Sequence, residues 1–372
     1  MHAKILLQVG AGGEGNILYF ILLYLPFIFF MFYGQRFQMQ MALLEIGGML
    51  KQLEKMKDFA KREALNTLKR EGCEEKTAET SLEVLLNSFT ILPTSMDPAG
   101  VVGKVEHILN IRDAKLITEV KKAIPKADEA TARNVENVVE ATAALDQIYR
   151  IVRHFYLLGK KMGNLYAVIQ LQMLAPQIIM YAKAFVSAVY AFKNGIPIGD
   201  GIGALVAAKM INGATTEVIA KDTVSSKLEY EKRKAFIIKA QGPGGNVGKP
   251  GEAIKKIIED NGEKIKLIVM IDAALKLEGE KIGEVAEGIG AAIGGIGVEK
   301  FKIEEEASRH KIPLHAVIIK ESIADAISVM KKEIHNSLGE VLERVKKIIL
   351  ENSQEEEGVI IAGIGNTIGI AQ

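Results

Sequence analysis

Acidic side chains that follow glycine turns or short apolar runs are the residues of this chain best suited to chemistry. Asp200 lies in the segment NGIPIGDGIG, Asp272 ends the apolar run KLIVMID, and Glu321 ends the run LHAVIIKE. Two carboxylates in one site can hold a divalent cation, which polarises a carbonyl group and activates water. We therefore expect Asp200 and Asp272 to be metal ligands or acid–base groups, with His315 or Glu321 assisting. For His315 the alternative is a hydrogen-bonded core side chain.

A second candidate site is the glycine-rich loop QGPGGNVGKPG at residues 241–251, which joins the apolar run AFIIKA to a predicted helix. Backbone N–H groups of such a loop bind anions at a helix N-terminus. The loop is not a Walker A motif, because Pro243 replaces its first glycine and Pro250 replaces its metal-binding serine or threonine. It therefore predicts binding of an anionic small ligand or nucleotide without ATP or GTP hydrolysis. The predicted ligand-binding residues are Gly242, Gly244, Gly245, Asn246, Gly248 and Lys249.

The elements that would position these residues are short apolar runs alternating with helical segments in residues 195–372. Runs that are apolar on both faces are typical of buried parallel strands, and they occur here at 235–240, 266–272, 314–321 and 358–365. Helices at 250–261 and 322–350 would be the crossovers between strands. Ligands bind such sheets at the carboxyl ends of the strands. We therefore predict a glycine-rich α/β domain at 195–372 with a mostly parallel sheet. The alternative for the segment around Asp200 is a capped turn between two domains.

The N-terminal region contains a hydrophobic stretch. No residue from Gly15 to Gln35 is charged, and most are aromatic or aliphatic. A helix of this length spans about 32 Å, close to the thickness of the hydrocarbon core of a bilayer. Lysines and arginines follow the stretch, whereas Lys4 is the one lysine or arginine before it. By the positive-inside rule, residues 1–36 are predicted to be a single-pass anchor in the cell membrane, with the rest of the chain in the cytoplasm.

Residues 37–194 have helical patterning almost throughout and are predicted to form a helical domain. Within 37–72 apolar residues recur every three or four positions, which favours packing on the chain's own domain. The alternative for this stripe is a homodimer. The uncharged run 162–182 contains a proline and several polar residues, so it predicts a buried helix rather than a second membrane crossing.

Composition narrows the class of protein. Apolar residues make up 48% of the 372 residues, and charged residues 25%, as in ordinary folded proteins. The formal net charge is +1, so the sequence does not predict binding to nucleic acid. A single cysteine, Cys73, excludes an internal disulfide and any cysteine-based metal cluster.

Four sequence blocks together resemble an archaeal family of membrane-anchored proteins of unknown function. They are RHFYLLGKK, IPIGDGIGALVAAK, KAQGPGGNVGKPG and VIIAGIGN, and the resemblance covers nearly the whole chain. It implies an archaeal source and one N-terminal anchor, and it implies no particular activity.

Residues 195–372 also resemble the hydrogenase-maturation and spore-protease peptidases. Those α/β proteins carry a strand ending in Gly-Asn, a helix that starts with Asp-Gly-X-Gly, and a strand ending in Asp-Ala. Here Gly365–Asn366, Asp200–Gly203 and Asp272–Ala273 match these motifs. The Gly-Asn turn lies at the C-terminal end of the sequence instead of before Asp200, which requires a circular permutation. In addition, Gly199 replaces the second acid of the family's paired aspartates.

Two functions follow from the sequence. The first is a membrane-anchored protein whose cytoplasmic α/β domain binds an anionic ligand at the glycine-rich loop 242–249. The alternative is a metal-assisted hydrolase or peptidase, for which a divalent metal would be the cofactor. The two differ in geometry: an enzyme needs the carboxylates of Asp200 and Asp272 in one cleft, whereas ligand binding needs a loop that opens on a pocket.

Overall fold

The computed structural model describes residues 15–88, 100–294 and 297–372; for residues 15–20, 22, 26, 28 and 32 it describes the backbone only. The chain forms two compact units, one made of Met1–Glu54 and Ile148–Ile179, the other of Lys55–Gln147 and Met180–Gln372. The predicted domain boundaries at residues 36 and 194 stay a prediction.

The N-terminal half is helical, as predicted. Its described helices are α1 (Gly15–Arg70), α2 (Glu75–Leu86), α3 (Val101–Ala123), α4 (Glu129–Met162) and α5 (Leu165–Asn194). The apolar stripe of α1 is buried within the chain at spacings of three, four and, once, seven residues, at Ala42, Ile46, Met49, Leu53, Ala60, Ala64 and Leu68. The homodimer through residues 37–72 stays a prediction, and this stripe is already covered by the chain itself.

Membrane-spanning potential was expected in α1 and not in α5. Among the described residues, α5 is the helix long and apolar enough to cross a bilayer, judged by length and composition alone. About a fifth of its most apolar window, 22%, is buried within the protein. The predicted anchor at 15–35 lies partly outside the residues whose side chains are described.

The C-terminal half contains a seven-stranded sheet with helices on both sides. Its elements in chain order are α6 (Ile202–Ile211), β1 (Glu217–Ala220), β2 (Thr223–Tyr230), β3 (Arg233–Ala240), α7 (Pro250–Asn261), β4 (Ile265–Leu275), β5 (Val285–Ile289), α8 (Val298–Arg309), β6 (Leu314–Glu321), α9 (Ile323–Ala326), α10 (Lys332–Asn336), α11 (Leu338–Asn352) and β7 (Gly358–Gly363). The strand order is β1-β2-β3-β7-β4-β6-β5.

The prediction of a mostly parallel sheet is wrong, because the sheet is mixed. The four predicted strands, β3, β7, β4 and β6, do form a parallel centre. Three further strands, β1, β2 and β5, pair antiparallel at the two sides. The predicted crossover helix 322–350 is instead divided into α9, α10 and α11.

The central strands are apolar on both faces because each face is covered by helices. Leu267, Val269 and Ile271 of β4 pack in one core with α6 and α11. Ile268 and Met270 point the other way and pack in a second core with α7 and α8. Successive side chains of a strand point to opposite faces, so a two-sided core requires an unbroken apolar run. This arrangement brings the carboxyl ends of the four parallel strands to one edge of the sheet.

Candidate functional site

The start of α6 packs directly onto the carboxyl ends of β4 and β7. A Cβ atom at Gly203 would lie 2.2 Å from the carbonyl oxygen of Ile271 and 2.4 Å from that of Ile364. Real Cβ contacts are essentially never that short, so this approach requires glycine. The glycine pattern of the segment therefore places Asp200, in the turn Gly199–Gly201 before α6, beside the sheet edge.

Asp200 is held by the turn that follows β7. The backbone N–H of Asn366 donates a hydrogen bond to Oδ2 of Asp200 at 2.8 Å. Burial raises the pKa of Asp200, and the hydrogen bond from Asn366 opposes that rise. The residue as a whole keeps part of its surface exposed.

Asp272 lies near the end of β4 and is 4% exposed. Its Oδ1 accepts a hydrogen bond from the backbone N–H of Ala273 at 2.8 Å. Burial raises the pKa of Asp272 well above its ordinary value, and the charge of Asp200 raises it further. The two aspartates therefore interact electrostatically. That their carboxylates share one cleft stays a prediction.

Glu321 is the last residue of β6 and is 2% exposed. Neither of its carboxyl oxygens has a hydrogen-bond partner. Burial, together with the smaller effects of the charges of Asp200, Asp325 and Asp272, raises the pKa of Glu321 to about 8. Its Oε2 lies beside the Asp200 turn, 2.4 Å from where a Cβ of Gly199 would stand. The glycine at position 199 thus leaves room for this carboxyl group.

Within residues 15–88, 100–294 and 297–372, no basic side chain balances the charge of the cluster Asp200–Asp272–Glu321. None of its three carboxyl groups forms an ion pair among the described residues. Asp325, which also raises the pKa of Glu321, is itself paired with Lys331 at 2.6 Å. No choice of one oxygen from each carboxyl group of the cluster brings all three within 4.8 Å of one another. The three carboxyl groups therefore lie too far apart for all of them to coordinate one cation directly.

A second acidic group does meet that distance criterion, namely Glu106, Glu252 and Glu299. The ammonium group of Lys302 is hydrogen-bonded to Glu106 and lies 3.3 Å from Glu252 and 3.9 Å from Glu299. Because a lysine already occupies the position between these carboxylates, we interpret them as an ion-pair network and not as a metal site.

His315 lies away from the cluster. It is the second residue of β6, where it pairs in register with Val269 and Ile289, whereas Glu321 ends the strand. Six residues of extended strand separate the two by about 20 Å. The structure therefore does not bring His315 together with Glu321, Asp272 and Asp200.

The glycine-rich loop is filled by the protein's own C-terminal residues. The hydroxyl of Thr367 donates to the carbonyl of Gly244 at 2.8 Å, and its backbone N–H donates to the carbonyl of Asn246 at 3.0 Å. The side-chain amide of Gln372 donates to the carbonyl of Gly242 at 2.8 Å. Thr367 carried no recognisable sequence signal other than its position after the Gly-Asn turn.

Helix α4 covers another part of the same loop. The side chain of Asn137 donates to the carbonyl of Gly245 at 2.6 Å, and the N–H of Gly245 donates to Asn134 at 3.0 Å. The ammonium group of Lys249 lies 4.0 Å from Glu299, and its backbone N–H bonds Thr223. Several polar groups of the loop are thus already bonded within the protein, and Gly248 packs against Thr223. These internal contacts weaken the prediction that backbone N–H groups of the loop bind an anion.

Comparison with known proteins divides the chain into two matched parts. Residues 20–195 match the model described as the N-terminal domain of a protein of unknown function (DUF1512), and residues 198–371 match the DUF1512 C-terminal domain of unknown function. No curated protein and no solved structure matches the chain. The archaeal source, the membrane anchor and the peptidase resemblance stay predictions. Since the two models together span nearly the whole sequence, the chain belongs to the DUF1512 family.

Proposed function

We propose that the α/β half of this protein is a metal-assisted hydrolase. In this proposal Asp200 and Asp272 hold a divalent cation at the edge of the sheet, and Glu321 is the general base. The observation that carries the proposal is the buried carboxyl group of Glu321, which has no hydrogen-bond partner and stands among other carboxyl groups without a basic side chain. Buried polar groups are normally hydrogen-bonded, and buried charges are normally paired.

The chemistry of the donors indicates the kind of cation. Carboxylate oxygens are preferred ligands of hard cations such as Mg²⁺ and Mn²⁺. A bound cation would polarise a carbonyl group of the substrate and favour ionisation of water. A positive charge beside Glu321 would also lower the pKa of its carboxyl group, so that the carboxylate can accept a proton from water.

The peptidase resemblance supports hydrolysis of an amide bond. The sequence motifs match that group only if the chain is circularly permuted, which requires the Gly-Asn turn to lie beside the Asp-Gly-X-Gly helix start. That contact is present as the hydrogen bond from Asn366 to Asp200. This contact supports the proposal that the permuted motifs form one site.

The test is cation-dependent stabilisation of the full chain at about pH 8, where the carboxyl groups can ionise. Mn²⁺ or Mg²⁺ at about a hundred times its dissociation constant should add about 2.7 kcal/mol to the free energy of unfolding. We expect Asp272→Asn to abolish this stabilisation. Glu321→Gln should keep most of it but lose metal-dependent cleavage of a peptide mixture, followed by mass spectrometry.

Glu306→Gln is the matched control. Glu306 is also 2% exposed and has one unpartnered carboxyl oxygen, but it lies on α8 and pairs with Arg309. This variant should keep both cation stabilisation and cleavage. If no divalent cation stabilises the unsubstituted protein, the metal proposal is wrong.

We also propose that residues 15–35 anchor the protein in the cell membrane, with the remaining chain in the cytoplasm. The support is the absence of charge in this stretch and the exposure of its described apolar side chains, such as Phe30 at 72% and Phe27 at 68%. Exposed aromatic side chains in one continuous stretch are costly in water and favourable in a bilayer. Anionic-ligand binding at residues 242–249 stays the alternative function, with the weaker support described above.

A further inference from the structure

The compact unit that contains the start of α1 also contains the turn between α4 and α5, residues 160–166. The hydroxyl of Tyr149 on α4 lies 3.1 Å from Glu54 of α1. Seven residues further along α4, the Tyr156 hydroxyl lies 3.6 Å from where a Cβ of Gly47 would stand. The two helices are therefore antiparallel with a constant offset, which places Met162 at the level of about residue 41 of α1.

The contact between α5 and α1 independently gives the same position of the turn along the axis of α1. The side chain of Gln172 donates a hydrogen bond to Glu45 of α1. With equal rise per residue, Leu165 at the start of α5 lies near the level of residue 38. The turn 160–166 therefore lies beside residues 37–41 of α1.

The part of α1 that precedes this level has the length of a membrane span. From Gly15 to Arg36 the helix rises about 33 Å, close to the thickness of a bilayer's hydrocarbon core. Arg36 is the first charged residue after the apolar stretch and is exposed. If residues 15–35 span the membrane, the turn 160–166 lies at the lipid headgroups.

The chemistry of this turn suits that position. Lys160 and Lys161 are exposed and form no ion pair among the described residues. Next to them Met162 is 67% exposed and Tyr166 is 71% exposed. Lysines beside an exposed tyrosine and an apolar side chain are typical of the membrane interface, where the cations meet anionic headgroups and the apolar groups enter the boundary region.

We infer that the turn 160–166 is a second membrane contact, which binds anionic phospholipid headgroups through Lys160 and Lys161 and inserts Met162 and Tyr166 at the interface. This inference rests on the proposed anchor at 15–35. It adds a lipid preference and a fixed orientation of the unit, neither of which an anchor alone provides.

The experiment uses the full chain with Cys73→Ala, in vesicles of phosphatidylcholine with or without phosphatidylglycerol. A fluorophore is attached at Met162→Cys, and quenching by lipids that carry a nitroxide near the headgroup is measured. The matched control is Lys51→Cys, an exposed position on α1 about 22 Å further along the helix from Arg36. Phe30→Cys, quenched by nitroxides on the acyl chains, reports the anchor separately.

With phosphatidylglycerol we expect quenching at Met162→Cys to exceed that at Lys51→Cys at least about twofold. Adding Lys160→Glu and Lys161→Glu should remove that excess, as should omission of phosphatidylglycerol. Equal quenching at positions 162 and 51, with strong quenching at position 30, would show that the turn does not touch the membrane although the anchor is inserted. Quenching at 162 that is unchanged by the lysine substitutions and by phosphatidylglycerol would overturn the headgroup preference. Absence of quenching at position 30 would overturn the anchor, and this inference with it.

Discussion

At the scale of single residues, the protonation state of Glu321 decides what the acidic cluster can do. A protonated carboxyl group can remain buried without a counter-ion, whereas an ionised one needs a cation nearby. Glu321 has a pKa of about 8, so near neutral pH and without a cation it is mostly protonated. Binding of a divalent cation would then release a proton, and the affinity for the cation should rise with pH.

The sign of the resulting pH dependence can be stated. The pKa of Glu321 is 4.5 in the unfolded chain and about 8 in the folded protein. Between those values the folded state binds more protons, so stability is greatest below the lower value and is lost as pH rises through the higher one. The raised pKa values of Asp200 and Asp272 act in the same direction.

We therefore expect the free energy of unfolding, measured by urea denaturation in EDTA, to fall between about pH 5 and about pH 9, by up to about 1.4 kcal/mol per pH unit for each proton. Glu321→Gln, which cannot ionise, should reduce this slope and should be more stable than the unsubstituted protein near the upper limit. Added Mn²⁺ should reduce or reverse the slope of the unsubstituted protein. If the free energy of unfolding depended on pH equally in both proteins, the raised pKa of the buried Glu321 carboxyl group would be contradicted.

At the scale of elements, the sequence identifies the buried centre of the sheet and misses its sides. The runs that became β3, β4, β6 and β7 are apolar on both faces, and that pattern has few alternatives in a folded domain. These four strands carry Asp272 and Glu321 and the Gly-Asn turn. Most of the acidic cluster could therefore be predicted without coordinates.

The antiparallel strands gave no comparable signal. The turn between β2 and β3 is Glu231–Lys232, two residues with positive φ where asparagine and glycine are usual. β5 carries Gly288 and is mostly exposed, so it lacks an apolar run. Closure of the glycine loop by Thr367 and Asn137 was also not predictable, because these contacts join residues more than a hundred positions apart.

The close packing of α6 against the sheet can be tested by adding one methyl group. Gly203→Ala would force a Cβ against the backbone carbonyl oxygens of Ile271 and Ile364, which cannot move without disturbing β4 or β7. We expect a loss on the order of 3 kcal/mol in the free energy of unfolding, measured by urea denaturation. The same substitution should weaken cation stabilisation, because α6 positions Asp200.

Gly339→Ala on α11 is the control for this substitution, since a Cβ there has nothing within 4 Å. A helical glycine in open space should tolerate alanine or gain up to about 1 kcal/mol from it. Equal stability of the two variants would mean that α6 does not approach the strand ends as closely as described.

At the scale of the whole molecule, helices from the N-terminal half belong to the same compact unit as the sheet. Arg133 of α4 donates to Asp222, in the turn before β2, at 2.8 Å and to Glu136 at 3.1 Å. Asn134, the residue after Arg133, and Asn137, one turn further along the helix, form hydrogen bonds with the glycine loop. The matched N-terminal and C-terminal family models therefore describe parts that are joined by partly buried polar contacts, and we expect them to unfold together.

Because the sequence contains no tryptophan, the fluorescence of a single introduced tryptophan reports unfolding at one site. Two such sites can therefore test whether unfolding is cooperative. Phe59→Trp would report α1 in this unit and Phe301→Trp would report α8; both side chains are partly exposed, at 38% and 49%. We expect the two probes to give the same denaturation midpoint.

Arg133→Ala leaves Asp222 and Glu136 without their shared partner. This substitution should lower the free energy of unfolding by about 3 kcal/mol and should therefore lower both midpoints equally. Arg112→Ala, which removes an exposed pair with Glu140, should cost less than about 1 kcal/mol. Separate midpoints, with Arg133→Ala shifting the probe in α8 alone, would show instead that the helices and the sheet unfold independently and that α4 is not needed to close the loop beside the acidic cluster.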